Sequence, residues 1–502
     1  WTNDPVIPLH GEAIFLRDQE TGQIWSPTAA PIRGENPYVT RHGFGYTRYE
    51  YGDQGLHQTV DLYAAANDPV KLIRIRLQNK SNRRRSLGVS YYLEPVLGVL
   101  PEETYQYVVT DFDPQLNGLV ITNRAREHYG DHVAFLATLA EDFSYTGDRL
   151  EFLGRNGSLT DPIGPQQVQL SGRVGAAMVP CAAILVPVTL EPGASTEVTF
   201  LLGECATWQE AKDLVSRFRQ EGAVQGEFDR VRSNWDELIG RLMVRTPEPS
   251  LDYLVNGWLL YQVISCRYWG RSAFYQSGGA YGYRDQLQDV MSLVYTSPQI
   301  TREHILRAAA HQFEEGDVQH WWHPEENKGV RTRFSDDYLW LPFVTARYVQ
   351  VTGDTGVLDE EVPYLRSRLL EEHEQERYEV PQLSDKTGTV YEHCLRAIEY
   401  GLKFGVHGLP LMGGGDWNDG MNRIGWQGRG ESVWLGWFLC RVMKDFIPLC
   451  RLKRDEHLVE RFREQIEGIR NAIEQHAWDG EWYMRAFFDD GTPLGSKEND
   501  EC

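Results

Sequence analysis

The sequence has no run of about 18 apolar residues, so no segment reads as a membrane-spanning helix. It has no basic excess either. Fifty Lys and Arg face 72 Asp and Glu, a net charge of −22. That balance argues against nucleic acid or an anionic membrane as the main partner, because both need a basic surface. It leaves room for a small anionic substrate, since one local arginine cluster suffices. Cysteine is sparse and scattered: seven residues, at 181, 205, 266, 394, 440, 450 and 502, with no CxxC pair. Neither a disulfide framework nor a zinc site is supported, and a reducing cytoplasm is the simplest home. Trp1 opens no signal peptide and there is no initiator Met, so the chain reads as part of something longer.

What is present is aromatic. The 502 residues include 15 Trp and 25 Tyr, more tryptophan than a core usually needs; sugar C–H faces stack on such rings. The length calls for two or three domains. Residues 1–205 alternate with period two, as in Lys71–Leu77, where Ile73, Ile75 and Leu77 face one way. Turns at 79–82 and at Pro192-Gly193 punctuate the strands, and an antiparallel β-sandwich is expected. Arg83-Arg84-Arg85 reads as a solvated hairpin tip rather than a phosphate site. Residues 206–245 switch to period 3.6 and read as linker helices, the first capped by Thr207. Ser250 is the expected cap of the next helix. From 246 to 502 helices are expected at 251–268, 285–296, 302–315, 336–352, 356–376, 391–404, 431–450 and 456–477. Paired helices with polar loops suggest an α/α barrel. Six hairpins would need about twelve helices, so the barrel reads as incomplete by residue 502.

Four loop clusters carry the candidate chemistry. The glycine-rich run Gly413–Gly420 holds Asp416, Trp417, Asn418 and Asp419. The glycines let the backbone approach a ligand, and the rest supplies acids, a flat ring and an amide. Taken alone it reads more readily as a plain Asx/Gly turn. Residues 271–289 mix glycines and aromatics with Arg271, Arg284, Asp285 and Asp289; Asp285 also reads as a helix cap, and the arginines as partners of Asp285 or Asp289. His320-Trp321-Trp322-His323 precedes Asp336 and Asp337, and reads as a rigid ligand wall better than as a metal site. In Tyr391-Glu392-His393-Cys394 the adjacent His and Cys point apart on a helix, against a nucleophilic pair.

Inverting hydrolysis of a glycoside needs two carboxyls, an acid and a base about 6.5–9.5 Å apart. Cleavage by phosphate needs only the acid, with a cationic pocket in place of the base. Arg271 and Arg284 are candidates for that pocket.

Three ordered stretches, 271–289, 320–342 and 408–425 (GLPLMGGGDWNDGMNRIG), resemble the inverting phosphorylases of glycoside hydrolase family 94. The opening, Gly11–Asp18 to Trp25-Ser26-Pro27-Thr28, is most similar to the cyclic β-1,2-glucan synthase and 1,2-β-oligoglucan branch. The resemblance implies a multidomain α+β chain: β-sandwich, linker helices and an (α/α)6 barrel. It implies Asp419 as general acid, and Trp417 and Asp285 as donor-sugar contacts. Arg284, Asn418, Asp336 and Asp337 join the substrate-binding group, and Arg271 contacts phosphate. It implies β-gluco-oligosaccharide and inorganic phosphate as substrates, α-glucose 1-phosphate as product, and no metal or organic cofactor. The family's remaining phosphate ligands, a His and a small residue, come from the last part of the barrel, so the pocket reads as incomplete within these residues. Residues 272–283 lack an arginine that some members carry there. The parent is expected to be a cytoplasmic enzyme, or the cytoplasmic domain of a membrane-bound synthase. Dimers are common in the family, though no interface is legible. An inverting hydrolase with Asp336 or Asp337 as base, a cellobiose-type phosphorylase and a non-catalytic glucan-binding module are the alternatives.

Overall fold

The computed structural model describes residues 11–98, 100–126, 129–271, 278–324 and 326–497. They form two compact units, Trp1–Leu238 and Ile239–Cys502.

The first unit is two antiparallel sheets. One runs β11 (Ser144–Asp148), β12 (Pro180–Leu190), β7 (Arg85–Leu93), β1 (Glu12–Asp18) and β2 (Ile24–Trp25). The other runs β3 (Val39–Gly43), β4 (Tyr46–Asp53), β5 (Leu56–Ala64), β6 (Val70–Asn79), β13 (Ser195–Cys205), β10 (Val133–Thr138), β9 (Gly118–Asn123) and β8 (Val108–Asp113). Ile73, Ile75 and Leu77 do share one buried face, packed with Val89, Tyr91, Ile184 and Phe200 between the sheets. The arginine triplet is a solvated tip only in part: Arg84 is exposed, Arg83 is half-buried and Arg85 is buried. Arg85 is buried and bonds Asp18 at 2.6 Å, Arg83 bonds the same carboxylate at 3.0 Å, and Arg84 faces Glu191. Thr207 caps the helix Trp208–Phe218 by accepting from the Glu210 N–H at 3.2 Å, and the helix Ala223–Ile239 follows.

The second unit is mainly helical. A continuous helical run from Pro249 to Trp269 opens it. Its cap is Glu248 rather than Ser250, because Pro249 lacks an N–H and suits the first helical position. The helices Tyr283–Leu293, Pro298–Ala309, Trp340–Thr352, Val390–Gly401, Val433–Leu452 and Glu456–Ala472 correspond to expected ones, with ends displaced by up to about six residues. They close around one core that includes Tyr283, Leu287, Leu339, Ile398, Leu439 and Phe446. No helix among the described residues is long and apolar enough to cross a membrane.

The expected helix 356–376 is absent. A short 3-10 turn at Gly356–Asp359 leads into the strand Glu361–Arg366, which pairs with Gln382–Thr389. Pro363 would remove a helical hydrogen bond, whereas a two-stranded edge tolerates it. The polar loops also form a sheet: Tyr281–Gly282, Gln319–Trp322, Gly329–Thr332 and Glu376–Glu379 lie side by side. Arg331 anchors it. Its side chain is fully buried, forks onto both oxygens of Asp317 at 2.7 Å and lies over the Phe313 ring at 3.9 Å.

Arg331→Met removes the charge while keeping most of the volume. It strands the buried Asp317 carboxylate and is expected to destabilise this unit by about 3–5 kcal/mol, measured by urea unfolding. An unchanged midpoint would show that the pair is dispensable.

Candidate active site

The glycine run and the segment before the Trp340 helix are stitched together. The Gly414 N–H donates to the Arg333 carbonyl and the Ser335 N–H to the Gly415 carbonyl, both at 2.9 Å. The Ser335 hydroxyl donates to the carbonyls of Met412 (2.9 Å) and Gly415 (3.1 Å). Gly413 has φ +62°, and a Cβ there would lie 2.1 Å from the Arg333 carbonyl oxygen. Only glycine permits this approach.

Beyond the glycines the acids diverge. Asp416 is fully buried. It accepts from Arg485 and from the Ser432 hydroxyl, both at 2.6 Å, and from the Asn418 N–H at 3.1 Å. It shapes the loop and has no exposed atom for a ligand. Asn418 turns its side-chain oxygen onto the Gly420 N–H at 3.1 Å, capping the short turn Asp419–Met421. Asp419 itself is presented outward, with half its side chain exposed. Trp417 is 52% exposed; its indole N–H donates to Gln288 at 3.3 Å, which fixes the ring's edge and leaves a face open.

Arg284 joins these parts. It lies in the first turn of the helix Tyr283–Leu293 and is only 6% exposed. One guanidinium nitrogen donates to Asp336 at 2.9 Å and to the Asp416 carbonyl at 3.1 Å, and the other donates to Asp419. The guanidinium also sits 6.0 Å from the Trp417 ring centre. The expected pairing of Arg284 with Asp285 or Asp289 does not occur. Asp289 is taken by Arg267 at 3.1 Å, and Asp285 is exposed beside Gly282, whose backbone is the N-cap. Asp285 is therefore not the cap. Arg284 faces inward and is buried, where the sequence expectation makes it a substrate contact. Burial works against its charge, but Asp336, Asp337 and Asp419 outweigh this and hold it above the usual guanidinium range.

Asp336 and Asp337 are both buried, at 0% and 1% exposure. Asp336 also accepts from the Trp340 indole at 3.1 Å. Burial first, then the neighbouring Asp337, push its pKa up to about 7 against the pull of Arg284. Asp337 holds His320 Nδ1 at 2.8 Å, while His320 Nε2 faces Asp419 at 3.9 Å. His320, expected in a rigid ligand wall, is thus held between two carboxylates. His323 packs edge-on to Trp321 instead.

Arg271 lies at the edge of the residues 272–277, which are outside the described set. Its Nε donates to the Gly279 carbonyl at 2.7 Å, and its guanidinium stacks on Tyr281 at 4.7 Å. His393 and Cys394 are core residues. His393 bonds Gln312 (2.8 Å) and the Val362 carbonyl (3.0 Å), burial pushes the Cys394 thiol up to about 12, and Glu392 closes a capping box with Thr389.

Two family models match this chain. "Glycosyl hydrolase 94 superfamily, catalytic domain" spans residues 234–502, and "Glycosyl hydrolase 94, supersandwich domain" spans 1–221. The chain belongs to the glycosyl hydrolase 94 superfamily. It is 40% identical over its whole length to the cyclic beta-(1,2)-glucan synthase NdvB of Rhizobium meliloti, covering 18% of that protein. It is 29% identical over 97% of its length to the solabiose phosphorylase of Paenibacillus borealis, covering 60% of it. A solved bacterial glucoamylase, complexed with acarbose, has the same fold at 8% identity, with a TM-score of 0.54 over 95% of this chain and 64% of that one.

The raised Asp336 has a consequence for stability. Between the ordinary carboxyl value of 3.8 and about 7 the folded state holds a proton that the unfolded state has released. This contribution is fully present below pH 3.8 and is lost as pH rises through about 7. Asp336→Asn should flatten that fall in urea-unfolding free energy between pH 4 and 8. Parallel wild-type and mutant curves would exclude it.

Proposed function

We propose that this chain is the phosphorylase part of a β-glucan-processing enzyme. Phosphate attacks the anomeric carbon of a non-reducing terminal glucose from the face opposite the leaving oxygen, and Asp419 protonates that oxygen. The products are α-glucose 1-phosphate and a shortened glucan, and the reaction is reversible. The observation that carries this reading is the contrast around Arg284. Of the three carboxylates facing its guanidinium, only Asp419 is exposed; Asp336 and Asp337 are buried and already bonded. One presented acid suits attack by an anion that needs no base. Hydrolysis would need a second carboxyl with room for water.

Trp417 offers the donor sugar its open face, and the exposed Asp285 is available to its hydroxyls. Arg271, oriented by Gly279 and Tyr281, is assigned to phosphate. Inorganic phosphate is a co-substrate, and no metal enters the chemistry. The helical unit is read as part of an (α/α)6 barrel with residues 1–205 as sandwich and 206–245 as linker. The β-1,2 linkage rests on the similarity to the cyclic beta-(1,2)-glucan synthase. A cytoplasmic location, within a membrane-bound synthase, and dimerisation belong to the same reading.

The full-length protein should release glucose 1-phosphate from β-1,2-gluco-oligosaccharides only when phosphate is added. Asp419→Asn should lower that rate by about 10²–10⁴-fold. Free glucose appearing without phosphate would identify a hydrolase, and saturable binding without turnover a glucan-binding module.

A further inference from the structure

Asp337, His320 and Asp419 form a chain that the proposed reaction has not yet used. His320 sits on the strand Gln319–Trp322, with its ring packed at 4.6 Å from Phe334. Nδ1 is fixed by Asp337 Oδ2 at 2.8 Å, which leaves Nε2 as the nitrogen facing Asp419 Oδ2 at 3.9 Å. The other Asp419 oxygen belongs to Arg284. The acid's two oxygens are thus divided between a permanent cation and a titratable one.

We propose that His320, in its imidazolium form, is a positioning residue for the acid Asp419, receiving the charge that develops on Oδ2 as the proton leaves for the glycosidic oxygen. The inference rests on the phosphorylase reading above. No extra reactant is needed. The proton on Asp419 passes to the leaving oxygen, the carbon–oxygen bond breaks towards it, and the carboxylate left behind lies between Arg284 and His320. The hydrogen phosphate that attacks carries a proton which returns the carboxyl to its acid form.

The groups facing His320 set its charge. Burial opposes the imidazolium. Asp337 and then Asp419 favour it, Arg284 opposes it, and the balance lies above the ordinary histidine value. Asp337 is well placed for this role: it is buried, its Oδ2 is committed to the imidazole, and its Oδ1 has no hydrogen-bond partner among the described residues. Arg284 approaches that oxygen only to 3.8 Å. A carboxylate so poorly satisfied by other donors depends on the imidazolium opposite.

The test compares kcat against pH for the full-length wild type, His320→Gln and Asp337→Asn during phosphorolysis of a β-1,2-gluco-oligosaccharide. Glutamine keeps a donor near the Nε2 position but cannot carry the charge. In His320→Gln, kcat should drop roughly tenfold, and the alkaline limb due to the imidazolium should vanish. Asp337→Asn should move that limb to lower pH, because the imidazolium loses its nearest anion. With 2,4-dinitrophenyl β-glucoside, whose leaving group needs no proton, His320→Gln should approach the wild-type rate. Equal losses on both substrates, or limbs unmoved in both variants, would overturn the role of His320. Wild-type turnover in Asp419→Asn would instead overturn the acid assignment. If Asp419→Asn is inactive while the His320 and Asp337 variants match wild type, only the present inference fails.

Discussion

The guanidinium of Arg284 is the joint on which the candidate site depends. It lies in the first turn of one helix, yet it binds a carboxylate just before a second helix and both a carbonyl and a carboxylate of the glycine loop. Three stretches far apart in sequence are held within reach of one planar ion. A lysine would offer a point charge without the fork, so it could not hold Asp336, the Asp416 carbonyl and Asp419 in fixed relative directions. The geometry of the acid is therefore a property of a buried network more than of the loop that carries it.

The glycine loop contributes in a different way. Its backbone lies flush against Arg333 and Ser335, and the close approach at Gly413 makes the contact possible. Asp416 then fastens the loop's other side to Ser432 and Arg485. Only after these restraints do Trp417 and Asp419 emerge to solvent. The run carries two acids, and the fold gives them opposite settings: Asp416 is buried and fixes the backbone, and Asp419 is left half exposed.

Local patterns were legible from sequence where neighbours in the chain determine the outcome. The alternation of Ile73, Ile75 and Leu77 depends on a period of two, and the Thr207 cap on a group three residues away. The strand Glu361–Arg366 was read as helix because its partner, Gln382–Thr389, lies beyond a loop and no local period announces the pairing. Pro363 was the available signal. The site followed the same rule. The glycine run and its aromatic and acidic residues could be picked out. The pairing of Arg284 with Asp419, 135 positions apart, could not be, and short-range partners at Asp285 and Asp289 were the natural guess. His320 is conspicuous in the sequence, but its two carboxylate neighbours, Asp337 and Asp419, are not legible there.

The buried charges also say what this region was shaped for. Asp336, Asp337 and Arg284 are all removed from water, and Asp337 keeps one oxygen without a hydrogen-bond partner among the described residues. Well-packed apolar residues in such places are often as stabilising or more so. A network retained purely for stability would be expected to satisfy its acceptors. This one leaves an acceptor short and pushes Asp336 up to about 7, while holding an exposed carboxylate between a guanidinium and an imidazole. Strain of that kind is tolerable when charge moves at the exposed end, because donors already in place need not reorganise when it does. On the proposed reading, in which Asp419 donates a proton, the arrangement serves that group more than it serves the fold around it.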